Sequence, residues 1–339
     1  MNLKFKVYRL HFTAPLHISD IRDDASISQR TVFSDTLYAA LTSCLAKVGK
    51  IPKSGDLGCT ISDLFPFYQL TSKDKPVFFL PMPLQTTLPN LTDPADAKKV
   101  KKVKWVDAEL YGRLLNGEKF FDKETSCTEM IQAYYLTKVV LPVDSKGSKD
   151  FICSDVMQRV KVEDRTGEKP ALPYYVDRIS FKDESGLYFL ALGNTALLEE
   201  AMQILKMEGI GTDRHVGYGF FDFEKQEDFI INVPDDATHQ VSLSVFIPES
   251  EDKLKELLSD DKVAYDFTRR GGWVTTHPYN TIRKNAIYAF TSGSVFCGTS
   301  EGFCSGQIVD LKPKGDDGKE LVNHSIWRNG RSIMLPIKM

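Results

Sequence analysis

Apolar and polar positions alternate with two different periods, and these predict the regular elements of the first part of the chain. Residues 3–12 interleave apolar and charged side chains, as a half-buried strand does. Residues 34–48 carry apolar side chains at helical spacing, and Ser34 or Asp35 is a natural N-cap because its oxygen can accept an unpaired backbone N–H. Residues 76–84 predict a strand that ends in prolines.

A second set of the same elements follows after a long polar stretch. Residues 172–193 predict a β-hairpin, and residues 195–208 predict a helix that Thr195 begins and Gly209 ends. Residues 218–223 then predict another strand. The complete order is strand, helix, strand, strand, helix, strand, which is the order of a ferredoxin-like fold. We therefore expect residues 3–12 and 218–223 to share one sheet, with both helices on one of its faces.

The chain is long enough for two domains. We predict an N-terminal ferredoxin-like domain over residues 1–232, interrupted by an insertion at about 85–170. The acidic, proline-containing stretch 224–236 looks like a linker. Residues 237–339, in which Ser250 can cap a short helix, predict a degenerate second copy. The expected class is α+β, with two ferredoxin-like (RRM-like) domains.

Composition narrows the possible functions. The 339 residues include 43 Lys and Arg against 46 Asp and Glu, a formal net charge of −3, which excludes a uniformly basic nucleic-acid coat but leaves room for a local basic groove. No apolar run approaches the roughly 20 residues of a membrane span, and the 6 cysteines are scattered. These features predict a cytoplasmic protein with reduced thiols and no membrane partner. No His or Cys cluster has metal-ligand spacing, so neither a metal nor another cofactor is expected.

The segment 209–219 is the most informative in the chain. A dinucleotide-binding loop joins a strand to a helix, whereas this segment follows a helix and precedes a strand, so the Rossmann interpretation fails. Its glycines allow close approach of a ligand to backbone N–H groups, and Arg214 adds a guanidinium fork suited to phosphate. The alternative is a flexible turn that needs one glycine as a helix C-cap.

Several segments together resemble a known family. Residues 14–20 (APLHISD), 34–41 (SDTLYAAL), 209–219 (GIGTDRHVGYG) and 324–337 (HSIWRNGRSIMLPI) are similar to the RAMP superfamily of CRISPR-associated proteins. Together with residues 269–274 (RRGGWV) and 283–296 (RKNAIYAFTSGSVF), they resemble the family of the fourth Csm subunit of type III-A effector complexes.

The resemblance implies a noncatalytic protein that binds guide RNA (crRNA) and caps its 5′ handle. It also implies docking to the large polymerase-like Csm subunit and to a backbone RAMP subunit, with target RNA reached only indirectly. The alternative within the superfamily is a metal-independent endoribonuclease that processes precursor guide RNA. That reaction needs a general base and a general acid.

The candidate RNA-binding residues are cations, aromatic rings and glycines in the segments that carry the resemblance. They are His17, Arg30, Gly209, Gly211, Arg214, His215, Gly217, Tyr218, Gly219, Arg269, Arg270, Trp273, Arg283 and Lys284. Arginine forks bind phosphate and an aromatic face stacks a base. The competing interpretation of residues 269–273 is a solvated turn beside a core tryptophan.

Three further features have two interpretations each. His17 is a hydrogen-bonded loop residue or RNA contact, unless it meets a second catalytic group, for which His215 is the credible partner. Asp35 is a helix cap, or else an acid for metal-assisted cleavage. The lysines of residues 98–104 form a thumb-like loop near the guide, or else the solvated face of a helix or a disordered loop.

Overall fold

The computed structural model describes residues 1–19, 25–84, 98–118, 131–143, 147, 149–161 and 172–339. The architecture is mixed α and β, with more strand than helix. The helices are α1 (Ser34–Lys47), α2 (Ala108–Leu115), α3 (Ala196–Glu208) and α4 (Glu251–Leu257). The strands are β1 (Asn2–Phe12), β2 (Cys59–Ile61), β3 (Phe65–Tyr68), β4 (Val77–Pro81), β5 (Trp105–Asp107), β6 (Ile131–Gln132), β7 (Tyr135–Leu136), β8 (Ile152–Lys161), β9 (Leu172–Phe181), β10 (Gly186–Gly193), β11 (Phe221–Asn232), β12 (His239–Ser242), β13 (Phe267–Arg270), β14 (Ile287–Phe290), β15 (Val295–Cys297), β16 (Cys304–Ser305), β17 (Ile308–Asp310), β18 (Trp327–Asn329) and β19 (Ser332–Ile337). Among the described residues, no helix has the length and apolar character needed to cross a bilayer.

The largest sheet is built around β1. Its strand order is β11-β1-β10-β3-β4-β5-β7-β6, with β2 also paired to β10. β1 pairs antiparallel with β11 on one side and with β10 on the other. The prediction that residues 3–12 and 218–223 share a sheet is therefore confirmed for residues 221–223, where β11 begins, whereas residues 218–220 precede the strand. The predicted linker at 224–236 is wrong for most of its length, because β11 continues to Asn232 and buries Phe229 and Ile231 along the way.

Both predicted helices lie on one face of this sheet. Leu37 and Leu41 of α1 and Leu205 of α3 share a buried cluster with Tyr8 and Leu10 of β1. The helices also contact each other. Because residues of both helices pack with β1 in this one cluster, the predicted placement is confirmed.

The opposite face of the sheet is covered by α2 and by the C-terminal part of the chain. Leu3 and Val7 of β1 share a second cluster with Leu110 of α2, Val241 of β12 and Leu335 of β19. The C-terminal strands form their own sheet in the order β15-β12-β19-β16. Within it β12 lies between β15 and β19, just as β1 lies between β10 and β11. Ser250 caps α4, as predicted, by accepting a hydrogen bond from the Lys253 N–H at 3.1 Å.

The predicted hairpin over residues 172–193 is wrong in its partners. β9 pairs along its full length with β8, and the two form a separate two-stranded arm. β10 instead joins the large sheet, where β1, β2 and β3 are its neighbours. The physical reason is burial: the first six residues of β10 are all buried, so this strand needs cover on both faces, whereas the outer half of β9 is exposed.

Candidate nucleic-acid interface

The start of helix α1 is capped by a residue from elsewhere in the chain. Phe33 occupies the N-cap position and contributes no side-chain hydrogen bond. Asp63 supplies the missing acceptor: its Oδ1 accepts from the Ser34 N–H at 2.7 Å and from the Val245 N–H at 3.2 Å. Burial raises the pKa of Asp63 to about 6, against the hydrogen bonds that favour its charged form. The prediction that Ser34 or Asp35 caps the helix is wrong, because Asp63 already fills that role.

Asp35 instead holds two arginines from the C-terminal part of the chain. Its side chain is fully buried, and its oxygens accept from Arg270 Nε at 2.7 Å, Arg270 Nη2 at 2.8 Å and Arg328 Nη1 at 2.7 Å. Burial raises the pKa of Asp35, but the attraction of Arg328 and Arg270 outweighs it, so the net pKa lies below its usual value. This carboxylate is committed to a structural ion pair, which argues against the metal-assisted interpretation.

A third cation adds to the positive charge that the two arginines leave beside Asp35. Lys284 interacts electrostatically with Arg328, Arg270 and Asp35. Its side chain passes Gly272, on which a Cβ would lie 3.6 Å from Lys284 Cε. Burial, with Arg328 adding repulsion, lowers the pKa of Lys284 to about 8. We call Asp35, Arg270, Arg328 and Lys284 the Asp35 cluster. It holds three basic groups and one carboxylate, so an anion placed beside it would relieve repulsion between the cations.

The ribbon formed by β13 and β14 has one face toward this cluster and the other toward solvent. Arg270 is on the inner face, where its guanidinium also stacks on Phe33 at 4.6 Å from the ring centre. Because side chains alternate along a strand, Phe267 and Arg269 both lie on the outer face. Tyr288 is the cross-strand partner of Arg269 and is exposed, and its ring meets that of Phe267 at 5.8 Å in an edge-to-face contact.

Trp273 and Arg283 extend this outer face beyond the ribbon. They are paired across a β-bridge, and the Arg283 guanidinium lies 4.5 Å from the centre of the Trp273 ring. Trp273 is 48% exposed, so the interpretation of Trp273 as a core residue is wrong. We call Phe267, Arg269, Trp273, Arg283 and Tyr288 the ribbon surface. Exposed rings interleaved with arginines are the usual composition of a surface for single-stranded nucleic acid.

The glycines of residues 209–219 are explained largely by packing of the protein against itself. A Cβ on Gly211 would lie 2.5 Å from the carbonyl oxygen of His17, and a Cβ on Gly209 would lie 3.0 Å from the carbonyl oxygen of Tyr218. A Cβ on Gly219 would overlap the carbonyl group of Ile210. All of these glycines also have positive φ. The close approach predicted for a ligand is thus, at three of the four glycines, an approach to the chain's own backbone. Gly217 differs, because nothing lies within 4 Å of its Cβ position.

The tip of this segment is exposed and is tied to the arm of β8 and β9. Arg214 and His215 lie in a single 3-10 turn, both exposed, and Arg214 Nη1 is 4.0 Å from a Glu208 oxygen. Arg159 of β8 donates to Asp213 at 2.8 Å, and its guanidinium lies 4.8 Å from the centre of the Tyr218 ring. Tyr218 is therefore a buried support of the loop, while Arg214 and His215 are available to a ligand.

His17 is buried beneath the same loop. Its Nδ1 is 2.8 Å from the Asp177 carbonyl oxygen of β9, and its own carbonyl accepts from the Thr212 N–H at 3.0 Å. The loop thus meets the segment around His17, as the catalytic-pair hypothesis required. Within the described residues, however, the hydrogen bonds of His17 join it to Asp177 and Thr212, and none joins it to His215.

Arg30 and the lysine run both contact Tyr134, and Lys104 Nζ lies 5.7 Å from the centre of its ring. Arg30 Nη1 pairs with the buried Asp150 at 2.5 Å, and its guanidinium stacks 5.8 Å from the Tyr134 ring. In the described residues 98–104, Val100 and Val103 are buried in the core and all the lysines are exposed. This arrangement favours the solvated-face interpretation of the run over the thumb-like loop.

The sequence interpretation missed Arg328, Phe267 and Tyr288. Arg328 lies in the C-terminal segment that carried the family resemblance, yet a lone arginine between Trp and Asn has no local signal for a buried pair. Phe267 could have been found from strand alternation, since it shares a strand face with Arg269. Tyr288 meets Arg269 only through the pairing of β13 with β14, which the sequence alone does not give.

Comparisons with known proteins agree with the resemblance. Residues 235–337 match the family model described as the CRISPR Csm4 C-terminal domain. A Mycobacterium tuberculosis protein, "CRISPR system Cms protein Csm4", is 27% identical over 312 residues, covering 90% of this chain and 89% of that protein. The Streptococcus thermophilus protein of the same description is 26% identical over 329 residues, covering 92% of this chain and 93% of its own.

Solved structures share the fold. One is a chain of the "Csm1-Csm4 cassette in complex with pppApA", with a TM-score of 0.57, 18% identity and 99% coverage of both chains. Another is a chain of the "Csm3-Csm4 subcomplex in the type III-A CRISPR-Cas interference complex", with a TM-score of 0.57, 17% identity and coverage of 99% of this chain and 100% of that one.

Proposed function

We propose that this chain, a Csm4-like CRISPR RAMP subunit, binds guide RNA as a noncatalytic component of a type III-A effector complex. In this role it caps the crRNA 5′ handle. The observation that carries the proposal is the excess of positive charge in the Asp35 cluster, directly behind the ribbon surface. A phosphate is the natural counter-ion for such a group.

Electrostatics and stacking support RNA as the ligand. Partly buried cations gain more from an anion than exposed ones do, because the local dielectric is lower and salt screening is weaker. Burial lowers the pKa of Lys284 to about 8, and a phosphate nearby would raise it again. The rings of Trp273 and Tyr288 offer flat faces to unpaired bases, which single strands present and duplexes do not. The exposed Arg214 and His215 offer a second phosphate contact on the glycine-rich loop.

The partners are proposed by analogy with the related complexes. The similar chains were solved with Csm1 and with Csm3. We propose that this chain likewise docks the large polymerase-like subunit and a backbone RAMP subunit, and meets target RNA only through the guide. We also propose that residues 1–232 and 237–339 are two ferredoxin-like domains, the second degenerate, and that the complex acts in the cytoplasm.

The contacts of the two catalytic candidates support the noncatalytic role. General acid–base cleavage needs a side chain positioned on the transferring proton. His17 is buried with Nδ1 directed at a backbone carbonyl, and Asp35 is neutralised by two arginines. The endoribonuclease alternative would need His17 to be released from this carbonyl and to meet His215.

The test uses the reconstituted complex with bound crRNA. Arg269→Ala and Arg283→Ala each remove one exposed cation from the ribbon surface, outside the Asp35 ion pair. Lys319→Ala removes a cation exposed elsewhere and is the matched control. We expect both ribbon variants to retain less crRNA per complex and to lower the salt slope of binding by about one counter-ion each.

Subunit stoichiometry is measured in the same preparations, so that loss of RNA is separated from loss of assembly. Unchanged crRNA content and salt slope in both ribbon variants would contradict the proposal. The same loss in the Lys319→Ala complex would also contradict it, because the effect would then be one of net charge.

A further inference from the structure

Three potential metal ligands meet at one end of the C-terminal sheet. A ring nitrogen of His239, a carboxylate oxygen of Asp260 and the Cys297 sulfur all lie within 4.8 Å of one another. His239 and Cys297 are direct cross-strand partners on β12 and β15, and Asp260 follows helix α4. The three residues are far apart in sequence, so no ligand spacing could reveal them.

His239 has the geometry of a ligand that lacks its metal contact. The residue is 2% exposed, and its Nε2 has no hydrogen-bond partner among the described residues. Its Nδ1 lies 2.9 Å from the Thr238 hydroxyl oxygen. When Nδ1–H donates to that oxygen, Nε2 keeps a free lone pair, and such a bond on the far side of the ring is how ligating histidines are usually oriented. A buried polar atom without a partner is costly, so its presence requires an explanation.

From these contacts we infer that His239, Asp260 and Cys297 form a binding site for a zinc-class divalent cation. Imidazole, carboxylate and thiolate together are the donor set that Zn²⁺ prefers. In a tetrahedral zinc site, donors of these kinds lie about 3.4–3.5 Å apart. His239 Nε2 and Asp260 Oδ2 are already 3.5 Å apart. Cys297 closes the remaining gap by side-chain rotation, and water takes the fourth position.

Charge and protons balance at this site. Binding displaces the Cys297 thiol proton to solvent, after which one thiolate and one carboxylate neutralise the two charges of the metal. The bound ion would join β12, β15 and the end of α4. It is therefore expected to stabilise the C-terminal part of the chain, independently of whether the protein binds RNA.

The experiment uses the full chain after removal of metals by chelation, with Co²⁺ as a spectroscopic probe for zinc. We expect one Co²⁺ per chain, a thiolate-to-cobalt charge-transfer absorption, and a higher Tm on addition of Zn²⁺. Cys297→Ser should abolish the absorption, and both Cys297→Ser and Asp260→Asn should weaken metal binding at least 10-fold. Cys304→Ser is the matched control, since Cys304 is half-buried as Cys297 is and lies outside the site.

Circular dichroism and the metal-free Tm show whether each variant folds as the wild type does. The inference is overturned if the wild-type chain binds no Co²⁺ at stoichiometric level. It is also overturned if the thiolate absorption survives in Cys297→Ser or disappears in Cys304→Ser, because another cysteine would then hold the metal.

Discussion

Replacing Asp35 with asparagine tests the ion pair that joins helix α1 to the C-terminal part of the chain. The side chains of Arg270 and Arg328 are only 12% and 6% exposed, and Asp35 is fully buried between them. Asparagine keeps the shape but leaves two guanidinium groups without a counter-charge. Removing one partner of a buried pair costs about 3–5 kcal/mol, chiefly because the remaining charge stays desolvated. We therefore expect Asp35→Asn to be strongly destabilising.

The expected change in melting temperature follows from the size of the chain. An unfolding entropy of about 2.1 cal/mol/K per residue over 339 residues is about 0.7 kcal/mol/K, so Tm should fall by about 4–7 °C if the chain unfolds cooperatively. Differential scanning calorimetry at neutral pH measures this directly. Asp252→Asn is the control: Asp252 is 96% exposed beside Lys255, so its loss should change the stability by less than about 0.5 kcal/mol.

The pKa of Asp35 determines how its contribution to stability changes with pH. Burial raises the pKa of Asp35, but Arg328 and Arg270 outweigh it, so the folded-state pKa lies below the ordinary value of 3.8. The contribution of Asp35 is thus complete above that ordinary value and is lost as the pH falls through the folded-state pKa. The Tm difference between wild type and Asp35→Asn should narrow at acid pH. A Tm within about 1 °C of wild type at neutral pH would refute the reasoning.

Four further predictions concern other parts of the structure. Burial raises the pKa of Asp63 from 3.8 to about 6, so the stability of the wild type should decline as the pH rises across that interval. The Asp63→Asn variant should lack this decline. Parallel pH profiles of Tm for the wild type and the variant would contradict the prediction. Gly219→Ala should lower Tm by several degrees more than Gly217→Ala, because only the former places a Cβ against a backbone carbonyl; equal melting temperatures would contradict this. Arg214→Ala should reduce crRNA retention and the salt slope without changing Tm, since the side chain is exposed; an unchanged slope would count against a phosphate contact. His17→Ala should leave the rate of target-RNA cleavage per bound crRNA unchanged. If the isolated wild-type subunit cut repeat RNA without metal and the His17→Ala subunit did not, the result would support the endoribonuclease.

The regular spacing of apolar residues was sufficient to predict individual strands and helices from the sequence. The strand at 3–12, helix α1 and helix α3 were all predictable, because an apolar face with period 2 or 3.6 is written within a dozen residues. The predicted placement of the first and last strands in one sheet, with both helices on one of its faces, also agrees with the structure. The glycine-rich loop was also recognisable from its composition, although Gly209 and Gly219 pack against the backbone of the loop itself and Gly211 packs against the backbone of His17.

Contacts between distant residues were decided by the tertiary structure alone. Asp35 looked like a helix cap because its natural partner, Arg328, lies 293 residues away, and because Asp63 had already taken the cap position. β9 looked like the partner of β10 because a turn lies between them, but the burial of β10 on both faces required neighbours from elsewhere. His239 and Cys297 likewise meet only through the pairing of β12 with β15, and Asp260 reaches them from the segment after α4. In each case the role of a residue is decided only when the fold brings opposite charges, or several metal-binding atoms, together in the same low-dielectric interior.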